Sequence, residues 1–273
     1  MPSKLVCAAL LALLIVPPAL AGSANLAGRE VELAFSEGHA VGFVFPSGTV
    51  LTNTGTTGSG VRATAMYANN GVLKVAKGRG AGNLAIVAPA HITSATATPK
   101  SAVIKLVNTG ATDLLDPGTA DFSFGADFVL NTRSATASSK DNGDNLIQRG
   151  LASSATQWKI QIDGGRPSCV LREKATGVQL IARTPTQVVR GSWYRAVCTR
   201  TTVGTTTTVS LTVSRLGTTE VLQAQKIGPV IDLSIATSVP MSVGGKITDA
   251  GALVLSQTDQ FNGRIDNAFL DLP

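Results

Sequence analysis

Residues 157–199, QWKIQIDGGRPSCVLREKATGVQLIARTPTQVVRGSWYRAVCT, constrain the fold more than any other stretch. In Trp158-Lys159-Ile160-Gln161-Ile162-Asp163, apolar and polar residues alternate strictly. Successive side chains of a strand point to opposite faces, so Trp158, Ile160 and Ile162 share a buried face. Gly164-Gly165 supplies a turn, because glycine accepts positive φ. Further strands are predicted over 169–172, over 178–182 ending before Pro185, and over 193–199. In the last, Trp193, Arg195, Val197 and Thr199 face one way, and Tyr194, Ala196 and Cys198 the other. Short strands broken by Gly and Pro turns at this spacing belong to a sandwich or a barrel.

Compartment follows from the start of the chain and from cysteine usage. Lys4, the apolar run 5–16, Pro17-Pro18 and the small residues Ala19-Leu20-Ala21 read as a signal peptide over residues 1–21, leaving 22–273 as a single domain. No stretch is long enough and apolar enough for a transmembrane span. Cys7 leaves with the signal, so two cysteines remain. Both lie in predicted strands, and a secreted chain predicts a Cys169–Cys198 disulfide, the alternative being two buried free thiols. Closing a loop of about 30 residues stabilises by roughly 3–4 kcal/mol in the chain-entropy model.

The formal net charge is +6, or +5 without Lys4. The basic residues are scattered along the sequence, which argues against a nucleic-acid partner and leaves attraction to an acidic polymer open. The remaining strands are predicted at 31–35, 61–67 and 72–75 (with Asn69-Asn70-Gly71 as a hairpin turn between them), 84–87, 103–107, 122–130, 209–213, 230–235, 239–243 and 265–272. In the last, Ile265, Asn267, Phe269 and Asp271 are placed on one face. Asp266, Ala268, Leu270 and Leu272 are placed on the other.

Several motifs then line up: FSFGADFVL after an Asp-Pro-Gly turn, NLIQRG, QWKIQIDGGRPSCVL, SWYRAVCTR, PMSVGGK and DQFNGRIDNAFLDL. In this order they resemble the laminin G-like, concanavalin A-like jelly rolls of secreted actinobacterial proteins, most closely over 113–272. The resemblance implies an all-β, two-sheet antiparallel jelly-roll sandwich. It also implies a C-terminal strand lying beside residues 31–35. It implies no single function, because this fold carries lectins, adhesion modules, toxin domains and glucanases.

The chemistry of the side chains narrows the choice. Segment 41–53, ending Leu51-Thr52-Asn53, looks like the strand pair before the histidine of trypsin-like proteases, but Thr54 and Gly55 follow and no Gly-Asp-Ser-Gly occurs. A glucanase of this fold carries Glu-x-Asp-x-x-Glu on a strand. The five glutamates past the signal, Glu30, Glu32, Glu37, Glu173 and Glu220, lack that spacing. Asp141, Asp144 and Asn145 cluster in one polar loop, which reads either as a calcium site or as an ordinary turn. With twelve aromatics in the chain, most alternating as core, Trp158 and Trp193 are expected inside. Tyr67 and Tyr194 remain as sugar platforms. His39 and His91 are expected on the surface or in loops. The expectation is a secreted, non-catalytic binding or adhesion module for an extracellular glycan or protein. A divergent glucanase and a purely structural surface component are the alternatives.

Overall fold

The computed structural model describes residues 28–35, 37–92, 98–134 and 141–273. The predicted signal peptide and Cys7 lie outside the described residues, as does part of the loop before Asp141. Sixteen strands are described: β1 (Arg29–Leu33), β2 (Val50–Leu51), β3 (Val61–Ala68), β4 (Lys74–Lys77), β5 (Leu84–Val87), β6 (Ser101–Asn108), β7 (Phe122–Leu130), β8 (Asn145–Arg149), β9 (Thr156–Asp163), β10 (Arg166–Glu173), β11 (Gln179–Arg183), β12 (Trp193–Val203), β13 (Thr206–Arg215), β14 (Val221–Pro229), β15 (Met241–Val243) and β16 (Gly263–Asp271).

They form two antiparallel sheets. One runs β14-β13-β12-β7-β16-β5-β4 with β1 also on β16. The other runs β11-β10-β9-β8-β15-β6-β3-β2. This is a jelly-roll sandwich, and alternation explains which face of each strand turns inward. Tyr194, Ala196 and Cys198 are buried along β12, while Trp158, Ile160 and Ile162 are buried along β9. The two sheets meet through aromatics: Trp158 of β9 packs on Phe124 at 4.7 Å and on Phe122 at 5.9 Å between ring centroids, both on β7.

Of the four strands predicted in residues 157–199, three are neighbours in one sheet, but β12 crosses to the other. The Cys169–Cys198 disulfide therefore joins β10 to β12 across the core, with the Cα atoms 6.0 Å apart. That separation suits a bridge. As implied by the resemblance, β1 pairs with β16, with Leu33 opposite Ala268.

Three strand expectations are corrected. Asn69 and Asn70 both take positive φ, but β3 pairs with β2 and β6, whereas β4 pairs with β5. The turn thus passes the chain from one sheet to the other and closes no hairpin. Residues 230–235 form no strand. Ile231 and Leu233 are buried, but their carbonyls are taken by Arg200 and Thr156, which replaces a ladder with side-chain bonds. On β16, Asn267 takes φ +46° and the register against β7 shifts between Asp266 and Phe269. This bulge adds one residue, so Ile265 shares the core face with Ala268, Leu270 and Leu272, and Phe269 moves to the outer face. The edge strand β14, largely exposed, was not predicted.

Candidate functional site

One end of the sandwich gathers the loop expected to carry a metal. Asp141 and Asp144 stand just before β8 and Asn145 opens it, and all three are nearly fully buried. Asp144 accepts the Ser134 N–H on Oδ2 and the Asn262 N–H on Oδ1, both at 3.1 Å. It thereby ties the end of β7 to the start of β16. Asp141 Oδ2 accepts from the Ile92 N–H at 3.4 Å and from the Asn262 amide at 3.4 Å. Burial pushes the Asp144 carboxyl well above the usual carboxylate range, against the pull of its bonds to Ser134. Burial raises Asp141 as well, opposed by the adjacent His91.

His91 is the residue that sequence reasoning missed. It lies in a loop, one of the two places expected, but its side chain is 2% exposed. Its Nδ1 lies 3.1 Å from both Asp141 Oδ2 and Asn262 Oδ1. A lone histidine after a short apolar strand carries no sequence signal for this partnership. Fifty residues separate it from Asp141, and only the folded loops bring the two together.

Asn145 belongs to a neighbouring polar group. Its amide donates to Gln148 Oε1 and, at 3.5 Å, to Asp259 Oδ2, which also accepts from Lys246 Nζ at 3.0 Å. Two carbonyl oxygens here, Asn142 Oδ1 and Asn145 Oδ1, are buried and accept no hydrogen bond from the described residues. Such orphan acceptors suit a hard cation. Against this, both Asp144 oxygens already face backbone N–H donors. Among the described residues, no three His, Cys, Asp or Glu side chains converge as a metal shell.

A second polar constellation lies on the outer face of the other sheet, in the middle strands. Asp127 on β7 stands opposite Asp266 on β16. Arg195 on β12 grips Asp127 bidentately at 2.6 and 2.9 Å, and the Asn267 amide donates to the same carboxylate at 2.9 Å. Asp266 accepts from Asn83 at 2.8 Å, and burial raises its pKa to about 6. The sequence signal was a charged residue inside the apolar run FSFGADFVL.

The aromatic expectations divide. Trp158 is buried, whereas Trp193 is half-buried on the outer face. Tyr194, expected as a sugar platform, is fully buried, and its hydroxyl accepts the Val189 N–H at 3.0 Å. It faces the core because it alternates with Arg195. Tyr67 is half-buried against the core. The nearest glutamate pair is structural: Glu30 accepts from the Leu272 N–H at 2.7 Å and the Thr57 hydroxyl at 2.8 Å, while Glu32 pairs with Arg29.

No family model matches this sequence, and no curated protein matches it. Solved structures do align. The receptor-binding domain of botulinum neurotoxin type G is 10% identical over 89% of this chain and 47% of its own, with a TM-score of 0.46. The binding domain of Paraclostridial Mosquitocidal Protein 1 is 8% identical over 90% of this chain and 49% of its own, at 0.44. Mouse laminin α1 domains LG4-5 are 14% identical over 78% of this chain and 67% of theirs, at 0.37. This chain spans about half the length of the toxin domains. At these identities and scores the likenesses say nothing of what it binds.

Proposed function

We propose that this protein is a non-catalytic binding module that works outside the cell on a glycan or protein. The observation that carries the reading is how the buried carboxylates are used. Asp127 is held by Arg195, Asp144 by two backbone N–H groups, and Glu30 by Leu272 and Thr57. Each closes a loop or a strand, and none is left open to a substrate. The Cys169–Cys198 bridge across the core supports an oxidising, extracellular compartment.

The hydrolase alternative has one observation in its favour. Asp127 and Asp266 face each other on adjacent strands, one an Arg-held carboxylate and the other an acid with a pKa raised to about 6. Such asymmetry is what a general acid and its partner require. Low accessibility supports the binding reading instead: Asp266 is 1% exposed and Asp127 5%.

Thermal unfolding of the secreted protein against a panel of soluble glycans tests the binding reading, because a ligand of the native state raises the midpoint by mass action. The same scan with calcium and with chelator tests Asp141, Asp144 and Asn145 as a calcium site, a reading supported by the two orphan oxygens of Asn142 and Asn145. Hydrolysis of a β-glucan that Asp266→Asn abolishes would overturn the non-catalytic assignment.

A further inference from the structure

Arginines scattered through the sequence meet where β9 turns into β10. Arg166 follows the Gly164-Gly165 turn and stands opposite Asp163. Arg133 lies against Gly165, where a Cβ would come within 2.7 Å of its Nε, so glycine makes room for the guanidinium stem. Its Nη2 donates to Val188 O at 3.4 Å, and the Val188 N–H donates to Gly165 O at 2.8 Å. Arg190 comes two residues later, beside Gly191, whose N–H donates to Leu130 O at 3.0 Å, just ahead of Arg133. Arg183 Nη2 donates to Asp163 O at 3.2 Å.

All four arginines are exposed. Among the described residues none of them forms an ion pair, whereas Arg29, Arg149, Arg195 and Arg215 each hold a carboxylate. The acid of the turn, Asp163, is half-buried, and its Oδ2 is taken by Gln161 at 2.6 Å. Asp163 interacts with Arg183 and offsets one charge, so the four guanidinium groups remain in excess at this turn. Their planar forks match carboxylate and sulfate oxygens in pairs.

The geometry points to this arginine turn as the docking site for an anionic polysaccharide, a proposal that rests on the binding-module reading above. The cations come from three separate segments across one end of the sandwich, so they engage several charges of a repeating chain. A single-stranded nucleic acid would also need stacking rings. Phe43, the one aromatic among the exposed large hydrophobics of the described residues, is bonded to β4 at the edge of the opposite sheet.

The test is binding of the secreted protein to hyaluronate, which carries carboxylates, to dextran sulfate, and to neutral dextran. Among the described residues the Arg166 and Arg190 side chains form no hydrogen bond or ion pair, so R166Q/R190Q leaves the fold intact. The control R62Q/K226Q removes the same charge from exposed positions elsewhere. The expected result is polyanion binding that weakens with salt and falls by about tenfold or more in R166Q/R190Q but not in the control. A response to one polyanion alone identifies the anion. Equal losses in both variants, or no polyanion binding by the parent protein, would overturn the proposal. Dextran or protein binding that R166Q/R190Q leaves unchanged would also overturn it, while the binding-module reading would stand.

Discussion

The two ends of the sandwich are closed by buried side chains of opposite charge, while the exposed arginine turn lies at the carboxylate end. At the end where β7 stops and β16 starts, Asp141 and Asp144 accept backbone N–H groups of Ile92, Ser134 and Asn262. At the end where β8 stops and β9 starts, buried arginines donate to carbonyls. Arg149 Nε reaches Val239 O at 3.1 Å and its Nη2 pairs with Asp113 at 2.7 Å. Arg200, on β12, reaches Gly118 O at 2.8 Å and Ile231 O at 3.2 Å. Backbone groups leaving a ladder need partners when buried. Asp141 and Asp144 meet loop donors at one end, while Arg149 and Arg200 meet loop acceptors at the other. The carboxylate end can be neutralised by protons. The arginine end stays charged at ordinary pH, even though burial lowers Arg200 to about 10.

The largest expected effect lies at the arginine end. Arg149→Ala strands Asp113 and frees Val239 O, and denaturant unfolding should register a loss of about 3–5 kcal/mol. A loss below about 1 kcal/mol, the scale of a surface pair, would break the comparison. Removing the bridge that spans the middle of the sandwich, as C169A/C198A, should cost roughly 3–4 kcal/mol while leaving both ends ordered.

At the carboxylate end, Asp144→Asn keeps the volume but turns an amide towards an N–H donor. The expected loss is about 1–3 kcal/mol, read from the urea midpoint. On the outer sheet face, Arg195→Ala should cost about 1 kcal/mol or less, because the Arg195 side chain is 49% exposed.

A further effect is one of pH. Asp266 carries a raised pKa in the folded protein, about 6 against an ordinary 3.8, so between those values the native state binds more protons than the unfolded chain. Its contribution to stability is therefore fully present below the unfolded value and is lost as pH rises through about 6. Asp141 and Asp144 act in the same direction. Asp266→Asn should flatten that part of the stability–pH curve. An unchanged slope would show that Asp266 titrates normally.

Much of the fold was legible because alternation is local. The inward faces of β7, β9 and β12 and the Gly164-Gly165 hairpin follow from neighbouring residues, and the cysteine pair from there being two cysteines past the predicted signal. The candidate sites were far less legible. Asp141, Asp144 and Asn145 could be singled out as a polar loop, but nothing nearby announced His91, Ser134 or Asn262 as their partners. The face of Phe269 was misassigned because a bulge at Asn267 reverses the alternation, and its positive φ has no reliable sequence signature outside glycine.

The sequence by itself determined that strands of period two, broken by Gly and Pro, would bury one face and leave the other polar, since a strand fixes each side chain's direction from its immediate neighbours. Only the tertiary structure decided which strands share a sheet, that Cys169 and Cys198 bridge the two sheets, and that four arginines meet at one turn. Those outcomes depend on contacts between residues far apart in the chain. Pairing, burial and charge become specific there only after the loops have closed.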